Sequence, residues 1–148
     1  EGTIPFTFDG ETYQTWYKLH GTLSSSSRPP LIVLHGGPGL LHDYLTPLAD
    51  LAHHTPSRPV LFYDQLGSAR STHLPSKLRA FWTLDLFVPE LANVLAHFDI
   101  AGAVPFDLLG HSWGAILGAE FVVRHQPAGL RHLMLANGLA NSQIRNEA

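Results

Sequence analysis

Residues 106–121 read FDLLGHSWGAILGAEF, and this stretch decides the fold. A short apolar run from Phe106 passes without a loop into Gly110-His111-Ser112-Trp113-Gly114, and an Ala-rich pattern with helical spacing begins at once behind it. A buried strand that turns straight into a helix leaves little room at the junction. Residues without a Cβ are therefore expected on both sides of the turn. The residue held between the two glycines is a serine, which makes Ser112 the first candidate for chemistry.

Working outward, three more short apolar runs read as buried strands: LIVLHGGPG (31–39), PVLFYDQLG (59–67) and LRHLMLANG (130–138). Between them lie helical patterns. DYLTPLADLAHH (43–54) has apolar residues at helical spacing, with Pro47 expected in its first turn. WTLDLFVPELANVLAHFDI (82–100) aligns Leu84, Phe87, Leu91, Val94 and Phe98 on one face, and Pro89 either kinks that helix or marks where its regular part starts. A further helix is expected over 113–125, stopped by Gln126-Pro127. Ahead of all this, TIPFTF and ETYQTWYKLHG alternate around Asp9-Gly10, which predicts a β-hairpin, followed by the polar loop SSSSRPP.

Strands that are apolar on both faces and alternate with helices imply an α/β fold with a mostly parallel sheet covered on each side. The chain has 148 residues, of which 45% are hydrophobic and 14% charged, enough for one core domain. Its net charge of −3 and lack of a basic cluster argue against a nucleic-acid partner. No apolar run approaches the length of a membrane span, and no signal-peptide pattern is visible. The absence of cysteine excludes thiolate chemistry, and no metal-ligand spacing such as HExxH occurs, so neither metal nor cofactor is expected.

Gly-x-Ser-x-Gly between a strand and a helix is the nucleophile-elbow pattern. It places Ser112 at a helix N-terminus, where backbone amides favour developing negative charge, and the Trp113 amide is the natural first oxyanion donor. A strand–helix connection with a capping serine is the plainer reading, and it leaves the paired glycines unexplained. His111 is adjacent in the chain and is expected to pack beneath the elbow rather than act as a base.

The second signal is His35-Gly36-Gly37-Pro38-Gly39. A phosphate-binding loop is disfavoured because Pro38 lacks an amide donor and no Lys-Ser/Thr follows. Paired with the elbow, the loop offers a second oxyanion amide from Gly37, with Gly36 and Gly39 lining the substrate. His35 is read as orienting the loop at that substrate-binding rim. Asp64 and Gln65, ending the neighbouring strand, shape the same rim through hydrogen bonds. His53, His54 and His132 read as helix-end or surface residues.

HGGPG, then Asp-Gln-Leu-Gly before Arg70-Ser71, then Gly-His-Ser-Trp-Gly, resemble the α/β-hydrolase fold in order and spacing. More narrowly they resemble the proline iminopeptidases and amino-acid amidases. The resemblance covers residues 5–138 and implies a serine hydrolase that removes an N-terminal residue, often proline, from a small peptide or amide. Ser112 would be the nucleophile, and Gly37 and Trp113 the oxyanion donors. Ala69 departs from the family by replacing a glycine, so that turn is expected to be reshaped; Ala115 replaces another after the elbow.

In this family the acid and the histidine follow the nucleophile far downstream, as does the cap. Only His125 and His132 follow Ser112, in the next helix and strand. An internal triad from His35 and Asp64 would invert the usual chain order. The resemblance therefore implies an N-terminal part of the hydrolase core over 1–138 and the start of a connection to the cap over 139–148. By the same resemblance the last strands and the cap are expected outside these residues, and a second polypeptide is expected to carry the triad acid, the histidine and the cap. Esterase, lactonase or carbon–carbon hydrolase chemistry remains open on the same scaffold, as does a ligand-binding module without catalysis. Epoxide and dehalogenase chemistry is disfavoured, since those relatives carry aspartate at the elbow.

Overall fold

A computed structural model describes residues 1–23, 28–54, 56–100 and 104–138. The polar serines of 24–27 and the expected cap connection at 139–148 lie outside the described residues. The alternating segments form a hairpin of β1 (Gly2–Phe8) and β2 (Glu11–His20). Its two-residue turn has positive φ at Asp9 (50°) and Gly10 (76°), the backbone that an Asp-Gly turn supplies and that matches the twist of the strands.

The apolar runs become β3 (Leu31–Leu34), β4 (Val60–Asp64), β5 (Phe106–His111) and β6 (Leu130–Ala136). They join the hairpin in one six-stranded sheet of order β1-β2-β4-β3-β5-β6. β2 runs antiparallel to β4, and the pairs β4–β3, β3–β5 and β5–β6 are parallel. Because side chains alternate along a strand, Ile32 and Leu34 face one side and Leu31 and Val33 the other. The first side packs on α1 (Leu84–His97) and α2 (Trp113–His125) through Phe87, Leu91, Leu117 and Phe121. The second packs on Leu45, Leu48 and Ala49.

That second layer is a 3₁₀ segment, His42–Ala52, where an amphipathic α-helix was expected. Pro47 is its sixth residue, beyond the first turn where proline is tolerated. An α-helix would need the Pro47 amide to serve the Asp43 carbonyl; the Thr46 hydroxyl donates to that carbonyl instead. α1, by contrast, runs through Pro89 and begins five residues before it, so the proline does not mark its start.

Among the described residues, the outer edge of β6 has no partner strand, and Leu135 is 53% exposed there. No helix among them is long and apolar enough to cross a membrane.

Candidate active site

The site is built where β5 meets α2. Ser112 holds φ 54° and ψ −117°, a backbone conformation that costs free energy in a non-glycine residue. Its amide donates to the Ala136 carbonyl at 2.8 Å, fixing the turn to β6, and its carbonyl accepts from the Ala115 amide at 3.0 Å. The flanking glycines are required sterically. A Cβ on Gly110 would stand 2.2 Å from the Gly114 carbonyl oxygen, and one on Gly114 would stand 2.3 Å from that of Leu34.

The loop after β3 closes over this turn. A Cβ on Gly36 would lie 3.3 Å from the Ser112 Cβ and 3.4 Å from the His111 carbonyl oxygen, so the loop packs close to the elbow. Gly37 (φ 131°) and Gly39 (φ 93°) take conformations that glycine alone adopts readily. The Gly36 amide donates to the Tyr44 hydroxyl at 2.7 Å. Among the described residues, neither the Gly37 nor the Trp113 amide donates to a protein group. Both belong to segments that flank Ser112, and Trp113 is the first residue of α2, where helical amides lack intrahelical partners.

His35 is wholly buried beneath the loop. Its Nδ1 lies 2.8 Å from the Gly36 carbonyl oxygen and its Nε2 lies 2.9 Å from the Gln65 amide. A backbone amide can only donate, so Nε2 accepts and Nδ1 carries the proton. Burial lowers the His35 pKa, partly countered by the bond to the Gly36 carbonyl. Gln65 completes the bridge: its Nε2 donates to the His35 carbonyl at 3.1 Å and its Oε1 accepts from the Trp113 indole at 3.0 Å. The ends of β3, β4 and β5 are thereby tied together beneath the serine.

Asp64, also buried, supports the outer side of the loop. Its Oδ1 accepts from the His42 amide at 3.1 Å and lies 2.8 Å from His42 Nδ1, and its Oδ2 accepts from the Arg70 amide at 3.3 Å. Burial alone would push this carboxyl up, but the bonds from His42 and Arg70 hold it below the usual range. His42 stacks on Trp16 at 4.8 Å, and the Arg70 guanidinium covers that ring at 4.9 Å. Of the residues expected to line the substrate, Gly39 is exposed, while Gly36 and the side chains of His35, Asp64 and Gln65 are buried and engage other protein groups.

His111 does not pack beneath the elbow as expected. It is half-buried at the rim, with Nδ1 2.9 Å from the Tyr44 hydroxyl and Nε2 3.4 Å from Asn137 Nδ2. His132, read as a surface residue, is exposed and pairs through Nδ1 with Asp107 at 2.8 Å, near the opposite end of the sheet. No histidine hydrogen-bonds the Ser112 hydroxyl among the described residues, and no trio of His, Asp and Glu there converges to hold a metal.

Two residues of the site carried no signal in the sequence. Tyr44 sits in a segment read only for its apolar spacing. Glu90 stands between Pro89 and the core residue Leu91, yet it is fully buried. It accepts from the Thr15 hydroxyl at 2.6 Å and from the Leu66 amide at 3.0 Å, bracing the turn that follows Gln65. Burial pushes its carboxyl up to about 8 against the opposing effect of these two bonds.

Residues 29–147 match the family profile of the alpha/beta hydrolase fold. A proline iminopeptidase of Lactiplantibacillus plantarum is 36% identical over 132 residues, which is 89% of this chain and 44% of that protein. The crystal structure of a proline iminopeptidase from Mycobacterium smegmatis superimposes with a TM-score of 0.82 at 40% identity, over 98% of this chain and 46% of that one. The crystal structure of VinJ superimposes with a TM-score of 0.83 at 45% identity, over 97% and 46% respectively. The chain spans less than half the length of these relatives.

Proposed function

The chain belongs to the α/β-hydrolase fold family, and we propose that it carries the nucleophile of a serine hydrolase of the proline iminopeptidase type. Such an enzyme removes an N-terminal residue from a small peptide or amide. The observation that carries this reading is the strained Ser112 turn (φ 54°, ψ −117°) packed close to a glycine loop, with the Gly37 and Trp113 amides unengaged among the described residues.

In this mechanism the Ser112 Oγ attacks the scissile carbonyl while a histidine takes its proton. The Gly37 and Trp113 amides donate to the oxygen that becomes negatively charged. Collapse of the tetrahedral intermediate breaks the C–N bond, and the histidine returns the proton to the leaving amine. Water then hydrolyses the acyl-serine by the same steps in reverse order. Gln65 and His35 hold the two donor segments in register through the bonds described above.

In this reading the general base and its carboxylate come from polypeptide outside these 148 residues. Two facts support this. His35 is buried with both ring nitrogens engaged, and His111 is turned toward Tyr44 and Asn137. Asp64 is committed to His42 and Arg70.

The test is to compare initial rates on prolyl amides, alanyl amides and short acyl esters, using the protein with any polypeptide that accompanies it and Ser112→Ala as control. Preferential prolyl-amide turnover that disappears in the variant is the expected result. Turnover of esters alone would make the site an esterase on the same scaffold. The absence of any Ser112-dependent turnover would remove the hydrolase reading.

A further inference from the structure

Tyr44 stands in the 3₁₀ segment on the far side of the glycine loop, and its hydroxyl meets both halves of the site. The Gly36 amide donates to it at 2.7 Å, and His111 Nδ1, one residue before the nucleophile, lies 2.9 Å away. The two rings meet edge to face at 5.3 Å. His111 continues the line to Asn137, just after β6, at 3.4 Å. A phenol can accept one hydrogen bond while donating or accepting another, so Tyr44 serves both neighbours whichever nitrogen of His111 carries the proton.

We infer that Tyr44 is a positioning residue that locks the oxyanion loop to the nucleophile elbow. This rests on the hydrolase reading above. Gly36 immediately precedes Gly37, and the peptide plane that carries the Gly37 amide begins at the Gly36 carbonyl. That carbonyl is held from below by His35 Nδ1 at 2.8 Å, while the Gly36 amide is held from the side by Tyr44. With both polar groups of Gly36 fixed, the direction of the Gly37 N–H is set before substrate arrives, which is the condition for effective charge stabilisation. The fit is close: a Cβ on Gly36 would stand 3.0 Å from the Tyr44 oxygen.

Tyr44 is 43% exposed, whereas the other groups that hold this loop are buried. The clamp is therefore formed from the solvent side. It can be removed without opening the core, and Tyr44→Phe keeps the ring against His111 while deleting the hydroxyl.

The experiment measures kcat and KM for wild type and Tyr44→Phe, each with any polypeptide that accompanies it, on the preferred amide, and hydrogen exchange of the Gly36 amide in both. The expected result is a fall in kcat of about tenfold, smaller than the loss of a direct oxyanion donor, with KM changed less than twofold. Gly36 amide exchange should accelerate about tenfold, corresponding to one lost hydrogen bond. Unchanged kcat together with unchanged Gly36 exchange would overturn the inference. If wild type has no Ser112-dependent turnover, the hydrolase reading fails by itself. The exchange of Gly36 then decides whether Tyr44 holds the loop.

Discussion

The Trp113 indole donates to Gln65 Oε1 at 3.0 Å, joining the first residue after Ser112 to the end of the neighbouring strand. The same Gln65 side chain donates to the His35 carbonyl, so one amide group holds both segments that supply the proposed oxyanion donors. Gln65→Leu would leave the indole N–H and the His35 carbonyl without partners. We expect a stability loss of about 1–3 kcal/mol, read by urea denaturation. A smaller loss would mean that the bridge is dispensable to the fold.

The two glycines on one face of α2 should behave oppositely. A Cβ on Gly114 would meet the Leu34 and His35 carbonyl oxygens at 2.3 and 2.7 Å, backbone that cannot yield. Gly114→Ala should therefore cost at least about 3 kcal/mol, the upper end of overpacking effects, or prevent folding. A Cβ on Gly118 would meet only side-chain carbons at 3.4–3.5 Å. Gly118→Ala should be tolerated and should gain roughly 0.5–1 kcal/mol from lower backbone entropy in a helix. Thermal unfolding of the two variants separates these outcomes.

Ala69 keeps a left-handed backbone, φ 40°, at a position where the family resemblance led us to expect glycine. The left-handed conformation costs an alanine about 1–2 kcal/mol, and the greater freedom of an unfolded glycine returns part of that. Ala69→Gly should raise stability by about 0.5–1 kcal/mol, visible as a higher Tm. A lower Tm would mean that the Ala69 methyl packs usefully.

Glu90 should make stability depend on pH. Its carboxyl is raised from 4.5 to about 8, chiefly by burial. Between these values the folded chain holds a proton that the unfolded chain has released. Stability is therefore full below the unfolded value, declines as pH rises toward 8, and levels off above it. Glu90→Gln retains an acceptor for Leu66 and removes the charge, so it should flatten that decline. Parallel pH–stability curves for the two proteins would contradict the assignment.

The order of the motifs along the chain made much of this readable. Gly110 and Gly114 revealed the elbow because nothing larger fits there, and the Asp9-Gly10 turn and the four apolar runs located the strands. The 3₁₀ segment was not legible, because the apolar spacing of 43–54 satisfies an α-helix and only the sixth-position Pro47 argues otherwise. Glu90 and Tyr44 were missed for a common reason. Burying a carboxyl on a helix, or turning a tyrosine hydroxyl toward a backbone amide, depends on which elements pack together, and local pattern does not contain that information.

The most direct test of the central claim is the denaturing intact mass of this chain after the protein, together with any polypeptide that accompanies it, is exposed to a fluorophosphonate. The account predicts a single phosphonyl adduct on this chain, mapped to Ser112 by peptide analysis and absent from Ser112→Ala. An unmodified chain, or an adduct at any other residue, would contradict the claim that Ser112 is an activated nucleophile.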